Sequence, residues 1–194
     1  AVVHPENVFD IAAFESMMGF DPEMSFHFYP NDSSERASET KPAKTPFPGP
    51  CTVRQALRKY LDVLGNPRRG VLRQLYRYTE DEEQKEKILE MTSTEGADIF
   101  HNYIVRERRS FVEFFADFPS CRPPWQVFAL IIPPLRSRQY SISSSARSDP
   151  GVIHLTVAVA RHITPYRRVR TGICSQYLQG TIPGQSKVAV WIRR

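Results

Sequence analysis

Two rhythms of apolar and polar positions divide the chain. In the first, Val53, Ala56, Leu57, Tyr60, Leu61 and Leu64 recur at i, i+3, i+4, i+7, i+8 and i+11, one face of an α-helix. Thr52 with Gln55 forms a T-x-x-Q capping box in front of that stripe, and Gly65 suits a left-handed stop behind it. Asn66-Pro67 then predicts a cap and a first-turn proline for a helix carrying Val71, Leu72, Leu75 and Tyr76. Thr79 with Glu82 reads as a second box, opening a helix with acids early and lysines late, and Ser110 with Glu113 as a third, closed by Pro119. An earlier short helix is expected within residues 4–20, from Val8, Ile11, Ala12, Phe14 and Met18.

From about residue 126 the rhythm shortens. RQYSIS (138–143), VIHLTVAVA (152–160) and KVAVWI (187–192) read as three strands, punctuated by Pro133-Pro134, Pro150-Gly151 and Pro183-Gly184. Before the last strand, TGICSQYL (171–178) reads as a glycine turn entering a short helix. The polar, Pro-rich residues 31–50 predict a flexible loop. Helices first and antiparallel strands afterwards make an α+β chain of one domain.

Charge follows the same division. Residues 1–121 hold 15 Lys/Arg against 20 Asp/Glu, whereas residues 122–194 hold 11 against the single Asp149, a block that attracts anions. Cys51, Cys121 and Cys174 are far apart and odd in number, which argues against a disulfide framework or a zinc site and for a reducing compartment. No apolar run is long enough to span a membrane. The five histidines form no HExxH, and neither a GxSxG nor a Walker loop is present, so hydrolytic and ATP-driven chemistry has no motif here.

Two short stretches carry ligand chemistry. Arg138 offers a planar cationic fork for phosphate oxygens, Tyr140 a ring that can lie against another ring, and Ser141 a hydroxyl beside it. Gly172 permits close backbone approach, and the amides of Ile173, Cys174 and Ser175 follow at a helix start, where they can face an anion. A dinucleotide with an aromatic head and a pyrophosphate suits the pair. Two other readings stay open at this level: a nucleic-acid module using the basic strip RHITPYRRVR (161–170), and a docking module whose helices orient neighbouring domains.

The spacing of RQYSISSS and RTGICSQYL resembles the FAD-binding region of the ferredoxin-reductase-like diflavin reductases, which include the NADPH–cytochrome reductases and the sulfite reductase flavoprotein. YLDVLGNPRRGVLRQL (60–75), RERRSFVEFFADFP (106–119) and VAVWIRR (188–194) are most similar to the NADPH-dependent branch of cytosolic iron–sulfur assembly. The resemblance implies an antiparallel Greek-key FAD-binding barrel, incomplete at its N-terminal side, with an α-helical connecting segment inserted over 9–125 and barrel strands over 126–194. It implies FAD on this chain, FMN and NADPH on other parts of a longer cytoplasmic protein, and electron delivery to an anamorsin-type iron–sulfur protein, with no nucleic-acid or membrane partner. By the same resemblance Arg138 binds FAD phosphate, Gln139 contributes backbone, Tyr140 lies against the isoalloxazine and Ser141 bonds near its reactive nitrogen. Gly172, Ile173, Cys174 and Ser175 wrap the pyrophosphate, and Arg108 reaches the cofactor from the helical segment.

Overall fold

In the computed structural model, which describes residues 1–27 and 49–192, the chain opens with strand β1 (Val2–His4). Helix α1 (Ile11–Met18) begins where the Asp10 carboxylate accepts from the amide of Ala13, and it stops at Gly19, whose φ of +70° is a conformation that glycine alone enters cheaply. Strands β2 (Ser25–Phe26) and β3 (Cys51–Thr52) pair antiparallel and lead into α2 (Val53–Lys59), capped by the expected Thr52–Gln55 box. Next come α3 (Arg69–Leu75), α4 (Glu82–Thr92), and α5 (Ala97–Phe100) running on into a π-helical turn that ends at Arg106. Helix α6 (Phe111–Asp117) carries the Ser110–Glu113 box, and α7 (Trp125–Ile131) follows. Strands β4 (Arg138–Gln139), β5 (Arg161–Ile163) and β6 (Val169–Thr171), helix α8 (Ile173–Gln179) and strand β7 (Ala189–Trp191) complete the order. The linker expected over 31–50 lies, apart from Gly49 and Pro50, outside the described residues.

The core belongs to the helices. Phe128 on α7 meets the rings of Phe14, Phe20, Phe115 and Trp125 at centroid separations of 5.1–6.0 Å, and Phe114 stacks on Phe118 at 4.7 Å. Leu57, Leu72, Leu75, Ile88 and Ile104 are fully buried around this cluster. Aromatic packing of this kind, part stacked, part tilted or edge-on, adds to the burial of apolar area.

Several expected boundaries move, each because a distant segment offers the backbone another partner. The stripe 53–64 stays buried, but α2 ends at Lys59: the buried Asn7 side chain donates to the carbonyls of Leu57 and Leu61 (2.7 and 2.6 Å), and Leu61 bridges to Pro134. Gly65 is therefore not a left-handed helix stop; it turns the chain so that its carbonyl accepts from the Phe111 amide at 3.2 Å. Asn66 does not cap α3, which starts after Arg68; its amide donates instead to the Arg109 carbonyl at 2.9 Å. Thr79 is buried in a bridge to Cys121, so Asp81 caps α4 in its place. Val8 is exposed ahead of α1.

The strands are shorter than expected. β1 is the central strand of a three-stranded antiparallel sheet of order β4-β1-β7, and β5 pairs with β6 in a hairpin. Residues 152–160 form no strand, only an Ile142–Leu155 bridge reinforced by the Ser143 amide donating to the His154 carbonyl at 2.9 Å. Val152 and Ile153 are exposed, and Ala160 at the far end bonds to Gly172 and Ser175 instead of to a strand, so the segment does not extend a ladder. Among the described residues the strands do not close into a barrel.

Candidate functional site

The glycine turn is built around one hydroxyl. Gly172 sits at the N-terminus of α8 with φ −71°, so backbone strain does not demand glycine there. Space does: a Cβ would lie 2.9 Å from Ser175 Oγ and 3.1 Å from the Ala160 Cβ. Ser175 is buried, donates to the Gly172 carbonyl at 3.0 Å and accepts from the Ala160 amide at 3.2 Å. The Gly172 amide in turn donates to the Ala160 carbonyl at 2.9 Å. The turn is thus pinned to residue 160 from both sides, while the first amides of α8, like those of any helix, lack an intrahelical acceptor.

The first stretch reaches this turn through Tyr140. β4 pairs Arg138 with Val3 and Gln139 with Val2, and Tyr140 exchanges both backbone hydrogen bonds with Ala1 at 2.8 Å. Burial first and the neighbouring Cys174 second push the Tyr140 hydroxyl's pKa up to about 12. Arg138 is exposed, its guanidinium donating to the Arg136 carbonyl at 2.8 Å, and its charge opposes the burial that raises the Asp62 carboxyl. Gln139 and Ser141 are exposed beside it.

Arg108 stands between the π-helical turn and α6. It is one of two described non-glycine residues with positive φ, at +47°, a conformation that costs roughly 1–2 kcal/mol. Its neighbours over-determine it: the amides of Arg108 and Arg109 donate to Val105 and Ile104, the Glu107 carbonyl accepts from Arg170, and the Arg109 carbonyl from Asn66. Its side chain lines a cleft of about 150 Å³ together with Leu64, Ser110, Arg170, Ile173 and Gln176. Arg108 and Ile173 therefore share one cleft, and Cys174 neighbours the Tyr140 hydroxyl; Arg138 stays exposed on β4.

Sequence reasoning missed the ion network that joins the helices to the β5–β6 hairpin. Glu113 accepts from Arg170 Nη2 at 2.6 and 2.7 Å and pairs with Arg168. The buried Glu107 accepts from the Tyr166 amide at 3.3 Å. Two of the four arginines in RHITPYRRVR thus face protein carboxylates, which removes half the cationic strip a nucleic-acid module would need. The signal available was charge alone, because Glu113 is also the capping residue of α6. Among the described residues no cluster of His, Cys, Asp and Glu could hold a metal, and no helix is long and apolar enough to cross a membrane.

Comparison with known proteins adds to this geometry. Residues 1–177 match the family model described as FAD binding domain. The chain is 34% identical over 186 residues to NADPH-dependent diflavin oxidoreductase 1 of Arabidopsis thaliana, covering 95% of the chain and 29% of that protein. It is 34% identical over 198 residues to the Bos taurus protein of the same name, with 99% and 32% covered. To NADPH–cytochrome P450 reductase of Musca domestica it is 38% identical over 155 residues, with 78% and 23% covered. The chain spans less than a third of the length of each of these relatives.

Proposed function

From the premise that this chain belongs to the FAD-binding domain family of the diflavin oxidoreductases, we propose that it is the FAD-holding part of an NADPH-dependent reductase. In that reading a longer protein relays electrons from NADPH through FAD and FMN to an iron–sulfur protein of anamorsin type in the cytoplasm. Identity to the Arabidopsis thaliana and Bos taurus diflavin oxidoreductases extends over 95% and 99% of the chain, against 66% for that of Dictyostelium discoideum and 78–84% for cytochrome P450 reductases; the two near-complete matches support the first branch. The rest of an antiparallel Greek-key barrel, beyond the strands of residues 126–194, would come from that longer chain, with 9–125 as the helical connecting segment.

One observation carries the proposal: RQYS and GICS, remote in sequence, come close enough for Cys174 to perturb the Tyr140 hydroxyl, beside a turn where a Cβ at Gly172 would crowd Ser175 Oγ and Ala160. This arrangement fits FAD. Arg138, free of a carboxylate partner within hydrogen-bonding distance among the described residues, supplies a cation to phosphate; Gln139 presents backbone; Tyr140 offers its ring, and Ser141 a hydroxyl at the flavin edge. Gly172, Ile173, Cys174 and Ser175 present backbone to the pyrophosphate, and Arg108 adds charge from the cleft. When bound, FAD supplies hydride acceptance from NADPH and electron release one at a time. The residues' own part is to bind, orient and neutralise.

The test is a titration of the 194-residue chain with FAD, followed by flavin fluorescence. Saturable uptake lost in Tyr140→Ala supports the reading; no uptake, together with salt-sensitive binding of an oligonucleotide, would replace it with the nucleic-acid alternative.

A further inference from the structure

Glu113 performs two tasks with one carboxylate. Its Oε2 accepts from the Ser110 amide at 2.9 Å and from Ser110 Oγ at 3.1 Å, closing the start of α6. The same group holds Arg168 and Arg170, which stand on and beside β6. Glu107 adds a second hold on the hairpin through the Tyr166 amide, and the Arg170 Nε reaches the Glu107 carbonyl at 3.4 Å. β6 runs from Val169 to Thr171, and the next residue is Gly172. Residue 107 lies immediately before Arg108. Both carboxylates therefore fix the distance between the two walls of the Arg108–Ile173 cleft. The pairs are about three-quarters removed from solvent, with side-chain exposures of 22–29%, so they are less screened than surface ion pairs.

We infer that Glu113 is a positioning residue: with Glu107 it forms a carboxylate latch that holds the β5–β6 hairpin against the helical segment and so sets the Gly172 turn opposite Arg108. The latch touches no ligand. It acts through the turn, and its effect on ligand binding rests on the FAD reading above.

Glu113→Gln separates the two tasks, because glutamine also serves in a capping box whereas it cannot balance two guanidinium groups. Expected in the 194-residue chain is a thermal midpoint close to wild type, faster amide hydrogen exchange across residues 161–176, and FAD affinity lower by about tenfold or more, the scale of one charge-assisted hydrogen bond. Arg170→Gln, which leaves the cap untouched, should reproduce both changes. The double variant should be no worse than the more affected single one, since both remove one interaction. Wild-type exchange in the hairpin of Glu113→Gln overturns the latch. Fast exchange with wild-type FAD affinity overturns its link to the ligand. Failure of the wild-type chain to take up FAD sinks the flavin reading and the ligand half of the proposal together, while the exchange pattern still decides the latch.

Discussion

Gly172→Ala asks whether the turn is as tight as the geometry requires. The new Cβ would stand 2.9 Å from Ser175 Oγ and 3.1 Å from the Ala160 Cβ, both closer than side-chain carbons normally approach. With φ at −71° alanine meets no backbone penalty, so the cost is steric. Relief requires Ser175 Oγ to leave, which gives up its bonds to the Gly172 carbonyl and the Ala160 amide, or α8 to move away from residue 160. Overpacking costs about 1–3 kcal/mol, and a lost neutral hydrogen bond about 1 kcal/mol. Either route, two lost bonds or retained overpacking, costs roughly 1–3 kcal/mol, which should lower the denaturant midpoint, and a turn forced open should weaken FAD binding in the same preparation. Ser175→Ala supplies the control: alone it should cost only about 1 kcal/mol, and combined with Gly172→Ala it should cost less than the two added together, because the clash partner is gone. A Gly172→Ala chain with the wild-type midpoint and wild-type FAD affinity would refute the tight turn and its place in the site.

Other outcomes follow from features of the same structure. Arg138→Ala should weaken FAD binding by about 1.5–3 kcal/mol in a fluorescence titration with the melting temperature unchanged, and Arg138→Lys should recover only part of the loss. Phe128→Ala, which empties the space among four rings, should cost about 3–5 kcal/mol in chemical denaturation and lower FAD content only in proportion to folded protein. Burial pushes the Cys121 thiol up from 9.0 to about 11. Below pH 9 both folded and unfolded chains keep that proton; as pH rises toward 11 the unfolded chain releases it first, so stability falls across this window, by about 2–3 kcal/mol at its end. The same decline should be absent from Cys121→Ala; parallel pH profiles for the two chains would contradict a buried, unionised thiol.

What the sequence made legible was local. The boxes at Thr52–Gln55 and Ser110–Glu113 form as their spacing requires, because donor and acceptor lie within one helical turn. The glycine turn into α8 was readable for the same reason. Expectations failed where a remote group entered: Asn7 ends α2 early, Cys121 draws Thr79 away from capping, and residues 152–160 lack the neighbouring strands that alternation alone cannot supply. At the site, residue types suggested an anion and a ring, and resemblance suggested which cofactor. The nearness of Cys174 to Tyr140 and the arginine pairs of Glu113 arise only in the tertiary fold. Glu113 in particular was hidden by its own local role as a cap.

The central place of β1 bears on the order in which the molecule assembles. Val2 pairs with Gln139 on one side and Trp191 on the other, so the sheet joins the opening residues to two segments made far later. The helical core needs only contacts among residues between Ile11 and Ile132, and it can gather as soon as those residues exist. The sheet must wait. Closing so long a loop has an entropic cost that favours local contacts forming first, and slow non-local pairing is the usual late event. During synthesis β1 therefore waits on residues 138–139 for one partner and on residue 191 for the other. Tyr140, bonded to the backbone of Ala1, takes its place with this late sheet and not with the helical core.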